Sequence, residues 1–161
     1  MVLEVAMEQH MNILVSACLI GEACRYDGKS QPCEKVMALA AACNLVPVCP
    51  EQLGGLPTPR IPSEVQPDGH VVNCEGIDCT QAFVKGAQAA VSIARDCGCT
   101  CAILKSRSPS CGVKEVYDGT FTGTIVPGQG KAASALSQAG IMLSDETDLE
   151  ARLGIEVPLP S

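Results

Sequence analysis

ILVSAC, Ile13–Cys18, is an apolar run of strand length that ends on a cysteine, and two later stretches repeat the plan: LVPVC at Leu45–Cys49 and CAILKSRSPSC at Cys101–Cys111. Short aliphatic runs flanked by turn residues or helices read as strands buried on both faces, the habit of parallel sheets. Strands are expected over Ile13–Ala17, Leu45–Val48, Thr100–Lys105 and Gly140–Leu143. The spacing of apolar residues predicts helices over Glu34–Ala42, Gln81–Asp96 and Lys131–Gln138. In the second of these, Phe83, Val84, Ala87, Val91 and Ala94 recur at helical spacing, Asp78 or Thr80 is available to cap the start, and Gly98 to end it. Strand alternating with helix predicts a single α/β domain: a small, open, mostly parallel sheet flanked by helices, Rossmann-like in plan. The domain is expected to span residues 1–161 with its core at about 12–146, leaving 1–11 and 147–161 peripheral, the latter a helix or strand followed by an extended Pro-containing end. Pro50–Gly76, with five Pro and four Gly, is expected to be neither a long helix nor a central strand. GQGK at Gly128–Lys131 lacks the spacing of a phosphate loop and reads as a turn entering a helix.

Composition narrows the function classes. A net charge of −7 argues against a surface that works by neutralising nucleic-acid phosphates. The opening MVLEVAMEQHMNILVSA carries Glu4 and Glu8 and lacks a basic segment followed by a long apolar run, so neither a signal peptide nor a membrane span is expected and a cytoplasmic location is. Eleven cysteines, an odd number, exclude complete internal pairing. In a reducing compartment such a chain reads as a metal or redox protein. Whether it is a monomer or a homodimer is open.

Ligands of an open parallel sheet bind beyond the carboxyl ends of its strands. Cys18 follows the first strand, Cys49 the second, and Cys111 comes just after the third, so three thiols distant in sequence are expected at one end of one sheet. Three convergent thiolates suit either zinc with a fourth ligand or a cubane [4Fe–4S] cluster with one iron not ligated by protein. No Cys-x-x-Cys pair of the kind common in structural zinc sites is present, which favours the cluster. Cys97, Cys99 and Cys101 alternate and would share one face of an extended stretch; they are read as packing residues at the far end of the third strand. Cys74 and Cys79 lie five apart in a polar loop, within range of a disulfide or an incidental metal, and no function is expected of them. Cys24 and Cys33 fall near the first loop, where either can assist a cluster or take up sulfur. Glu51, two residues beyond Cys49, is a candidate general base. Ser106, Ser108 and Ser110 crowd the turn before Cys111 and are candidates to hydrogen-bond a heterocycle or cradle an anion. Arg25, Tyr26, Asp27 and Arg60 are candidates to bind substrate or to pin loops together.

The strings ILVSACLIGEACRYDGKS, VPVCPEQLGGLPTPRIPSE and LKSRSPSCG, in that order, resemble the DUF523 family, which includes the thiouracil desulfidases. GIDCTQAFVKGA before the long helix and a GxG turn before a final strand ending in SDE fit as well, so the resemblance covers about residues 12–146. It implies a [4Fe–4S] cluster held by Cys18, Cys49 and Cys111, and removal of sulfur from a small thiolated pyrimidine without net redox chemistry. It also implies Glu51 and Ser108 as the catalytic pair. Two other classes stay open from the residues alone: a cluster or sulfur carrier without catalysis, and a zinc-dependent hydrolase.

Overall fold

The computed structural model describes residues 11–154; the amino-terminal stretch 1–10 and the Pro-containing end 155–161 lie outside the described residues. In chain order the elements are β1 Asn12–Ser16, α1 Glu34–Ala38, β2 Asn44–Val48, α2 Pro50–Leu53, β3 Ser63–Val65, β4 Val71–Asn73, α3 Thr80–Asp96, β5 Cys101–Leu104, β6 Glu115–Tyr117, β7 Ile125–Pro127, α4 Lys131–Gln138, β8 Met142–Asp145 and α5 Leu149–Leu153. The expected α/β fold is present: β2, β1, β5 and β8 form, in that order, a four-stranded parallel sheet. Side chains alternate across it. Ile13, Val15, Cys101 and Ile103 face a core layer closed by Val36 and Leu149, whereas Leu14, Ala102 and Leu104 face one closed by Ala94, Ala133 and Leu136. Helices therefore cover both faces, as an all-parallel sheet requires.

The chain leaves β1 toward β2 and later returns to β5 on the other side of β1, before continuing outward to β8. The connections diverge between β1 and β5, which makes the crevice beyond their carboxyl ends the natural place for a ligand. Ser16 ties the two ends together: its hydroxyl accepts the Lys105 amide at 2.9 Å.

Several expectations shift in detail. Ala17 opens a 3-10 turn, Ala17–Ile20, in place of continuing β1, and the helix expected over Glu34–Ala42 gives way to a 3-10 turn at Leu39. The last sheet strand begins at Met142, two residues later than expected, because Gly140 and Ile141 still hydrogen-bond back to the end of α4. The cysteines at 97, 99 and 101 do not share a face. Extended backbone starts only at Cys101, after a turn at Gly98, so Cys101 packs with Ile13 and Ile103 while Cys99 packs on the opposite layer with Ala102 and Leu104. Two antiparallel hairpins, β3–β4 and β6–β7, stand outside the main sheet. The Pro/Gly segment supplies the first of them and α2, a helix of four residues with Pro50 in its first turn.

Helix α3 seats α2 by close backbone approach. A Cβ on Gly86 would lie 1.8 Å from the Pro50 carbonyl oxygen, and one on Gly54 2.0 Å from that of Ala82. Since Cys49 and Glu51 bracket Pro50, this contact sets the height of two predicted site residues. Gly86→Ala is expected to destabilise the fold by about 3 kcal/mol through overpacking, lowering the thermal midpoint by roughly 6–12 °C. An unchanged midpoint in a melt followed by circular dichroism would show that α2 is not seated in this way.

Candidate active site

Beyond the ends of β1, β2 and β5 lies a pocket of about 690 Å³ whose lining includes Cys18, Cys49 and Cys111 together with Cys24, Glu51, Arg60, Ser108 and Ser110. Each sheet-derived residue is delivered by a strand end. Cys18 sits in the 3-10 turn after β1, and Cys49 caps α2 directly after β2. The loop bearing Cys111 is moored to α4: the amides of Lys131, Ala132 and Ala133 donate to the carbonyls of Pro109 and Ser110 at 2.9–3.0 Å. A Cβ on Gly130 would fall 2.5 Å from the Ser110 carbonyl carbon. GQGK is thus the socket of the SPSC loop, and its helix start is occupied by the protein's own carbonyls.

The Glu51 carboxylate is held from two sides. Arg60 Nε donates to Oε1 at 2.9 Å, a pair whose side chains are only 6% and 14% exposed, and Ser110 Oγ donates to Oε2 at 3.1 Å. Behind Ser110 stands Ser108, whose hydroxyl oxygen accepts the amides of Ser110 and Cys111 at 3.1 and 3.0 Å and lies 3.0 Å from Ser110 Oγ. With those two amides directed at its oxygen, the Ser108 proton is free to point at Ser110, and the hydroxyls form an oriented chain from Ser108 through Ser110 to Glu51. Ser108 therefore reaches Glu51 only by way of Ser110, which is itself buried.

The remaining candidates divide. Arg60 also donates from Nη2 to the Cys24 carbonyl at 2.8 Å and from Nη1 to Thr58 Oγ1 and the Pro57 carbonyl. Four of its five donor hydrogens are spent on the protein. Ser106 is likewise committed, its amide and hydroxyl both donating to Glu146, which Lys105 Nζ meets at 3.0 Å. Arg25 lines the pocket but is bonded to Gln31 and lies 3.8 Å from Asp27, within its own loop. Tyr26 lines the pocket; Asp27 and Cys33 do not. Cys74 stands exposed on the pocket wall, Cys79 caps α3 outside it, and both are free thiols.

Cys24 holds a more central place than its spacing suggests. It is buried in the pocket lining beside Cys18 and Cys49, and its carbonyl accepts the Cys49 thiol at 3.6 Å. The contact with Cys18 and burial push the Cys24 thiol up to about 11, against a smaller opposing effect of Cys49. Its Cys24 neighbour and burial push Cys49 up as well, and burial raises Cys111 to about 11. Four soft donors in one cavity suit a thiophilic metal centre. Among the described residues, however, no three His, Cys, Asp or Glu gather closely enough to hold a single metal ion. A lone zinc ion draws its thiolates to about 2.3 Å of one point. An iron–sulfur cubane spreads its thiolates over separate irons and tolerates the wider spacing.

Glu51 and Arg60 form a nearly buried pair that joins three loops, so breaking it from the arginine side leaves a carboxylate without its partner. Arg60→Ala is expected to destabilise the cluster-free chain by about 3 kcal/mol, with Arg60→Lys recovering only part, because an ammonium cannot reproduce the planar fork. Urea unfolding of the three proteins measures it; an Arg60→Ala curve that overlays the parent would refute the coupling.

The arrangement has known relatives. The family model of the 2-thiouracil desulfurases matches residues 13–148. The uncharacterized protein YbbK of Bacillus subtilis (strain 168) is 38% identical over 146 residues, covering 85% of this chain and 97% of that protein. A solved structure described as a [4Fe–4S]-dependent thiouracil desulfidase, TudS, superposes with a TM-score of 0.83 at 41% identity, covering 89% of this chain and 95% of that one. With the family model spanning the sheet, the three strand-end cysteines and Glu51, the chain belongs to the 2-thiouracil desulfurase family.

Proposed function

We propose that this protein removes sulfur from a small thiolated pyrimidine, with a [4Fe–4S] cluster held by Cys18, Cys49 and Cys111 and one iron left without a protein ligand. The observation that carries the reading is Glu51, a carboxylate oriented by Arg60 on one oxygen and by Ser110 on the other, in the same cavity as the thiols. A cluster or sulfur carrier needs no general base beside its thiols. The bound cluster supplies a soft Lewis acid for a thiocarbonyl sulfur.

The protein's own part is proton and water management. Glu51 takes a proton from a water molecule as its oxygen attacks the thiocarbonyl carbon. Arg60 keeps the carboxylate from rotating, so its basic oxygen faces the cavity in one orientation. The Ser108–Ser110 chain passes a proton between the cavity and Glu51, returning it to the departing sulfur. In balance, one thiocarbonyl and one water give one carbonyl and one hydrogen sulfide, and no electron is transferred. The acidic chain favours a small substrate over intact RNA.

Anaerobic reconstitution, iron and sulfide analysis, and sulfide release from 2- and 4-thiouracil test this. Replacing any of Cys18, Cys49 or Cys111 with Ala is expected to remove both the cluster absorbance and turnover. Glu51→Gln should keep the cluster and lower kcat by about 10²-fold or more. Turnover retained in a cluster-free preparation, or full activity with zinc alone, would overturn the reading.

A further inference from the structure

The chain is poor in aromatic residues, with two Phe, two Tyr and no Trp. Phe83, on α3, is buried in the core, and the other three, Tyr26, Tyr117 and Phe121, all line the pocket. Tyr26 and Phe121 are 42% and 36% exposed. Leaving large rings open to water gains nothing for folding. A planar ligand that covered them would recover that contact.

Phe121 is placed by construction. Its backbone adopts φ +59°, a region bulky side chains rarely occupy. The loop between β6 and β7 is nevertheless tied down around it. Glu64 Oε1, on β3, accepts the amides of Gly119 and Phe121 at 2.9 and 3.2 Å, and Gln66 Nε2 donates to the Gly119 carbonyl at 3.0 Å. Within the loop, Asp118 accepts the Thr120 amide at 3.0 Å, and the hydroxyls of Thr120, Thr122 and Thr124 form a chain with steps of 2.6 and 2.8 Å. On another stretch of the lining, the Arg25 guanidinium lies over the Tyr26 ring, 5.8 Å from its centre, and helps hold that ring in place. One hairpin thus clamps the tip of the other, and the tip it fixes is a phenyl ring at the cavity.

We infer that Tyr26, Tyr117 and Phe121 form a stacking surface that receives the face of a planar six-membered heterocycle, and that Glu64 is the positioning residue that sets Phe121. This rests on the desulfuration reading for the identity of the ring and on the pocket geometry for its recognition. Aromatic faces select planarity, whereas hydrogen bonds to the imide edge do not. Uracil and dihydrouracil share that edge and differ in planarity, so their affinity ratio isolates stacking.

The test measures, by equilibrium dialysis on the reconstituted holoenzyme, dissociation constants for uracil and dihydrouracil, alongside KM and kcat for 4-thiouracil. The parent is expected to prefer uracil. Phe121→Ala and Glu64→Ala should each reduce that preference about tenfold and raise KM with a smaller change in kcat, at unchanged iron content, and Phe121→Tyr should restore it. Equal weakening toward both ligands, an unchanged preference, or a loss confined to kcat would overturn the stacking surface. Should the parent release no sulfide yet keep a Phe121-dependent preference for uracil, stacking stands and the desulfuration reading falls. Turnover without any such preference leaves desulfuration standing and removes the stacking surface.

Discussion

The guanidinium of Arg60 is the interaction on which the site's geometry turns. It meets Glu51 with Nε, the Cys24 carbonyl with Nη2, and Thr58 and Pro57 with Nη1. Those partners belong to two separate pieces of chain, the loop after β1 and the Pro/Gly segment, the latter met both at its opening helix and at the 57–58 turn. A planar fork of five donors is the one side chain that can face three directions from one buried point. Its charge is matched by one carboxylate, and three further hydrogens go to two carbonyls and a hydroxyl, so most of the cost of desolvation is met by neighbours. The loops are thereby held without disulfides, as suits a chain whose described cysteines are all free thiols.

Around that point the thiols and the pocket bases are balanced with equal care. Each cation in the lining has an acidic partner within 4 Å: Arg25 with Asp27, Arg60 with Glu51, Lys105 with Glu146, Arg107 with Glu115. Without a metal, Cys24, Cys49 and Cys111 are all pushed above the usual thiol range, so near neutral pH they carry their protons. Loading a metal centre must expel protons from whichever thiols ligate it, and loading therefore becomes easier as the pH rises. On the proposed reading, the fold preforms the positions of the donors and leaves their ionisation to the cluster.

How much of this is legible in the sequence depends on burial. β1, β2 and β5 announce themselves because strands covered on both faces are continuous aliphatic runs, and the rule that ligands collect beyond their carboxyl ends then picks Cys18, Cys49 and Cys111 out of eleven. The hairpins do not announce themselves: β3, β4, β6 and β7 are three residues each, too short for alternation to register, and their pairing is decided by contacts across the fold. Alternation misleads at Cys97, Cys99 and Cys101, where the spacing of an extended strand runs across a helix end and a turn. Cys24 stands six residues from Cys18 with no periodic signal, and only the turn after β1 folds it back into the lining beside Cys18 and Cys49. Arg60 and Ser106 look like ligand-binding groups for want of visible partners, which the fold supplies as Glu51 and Glu146.

The two kinds of element divide the pocket between them. Sheet ends build its floor, where the thiols, Glu51 and the serines sit on turns and loops carried by strands buried in the core. The hairpins build its far wall, with Glu64 on β3, Cys74 just past β4, Tyr117 on β6 and Phe121 at the next tip. A lone two-stranded hairpin is marginal in water. Each of these is stabilised by the other, through the Glu64 and Gln66 hydrogen bonds to the 118–121 loop. The wall is therefore less deeply anchored than the floor, because its ties are hydrogen bonds near solvent whereas the floor rests on two layers of packed side chains. Substitutions in the hairpins can alter what the pocket admits while leaving the thiol set in place, so under the proposed desulfuration the choice of ring and the chemistry at sulfur are separable.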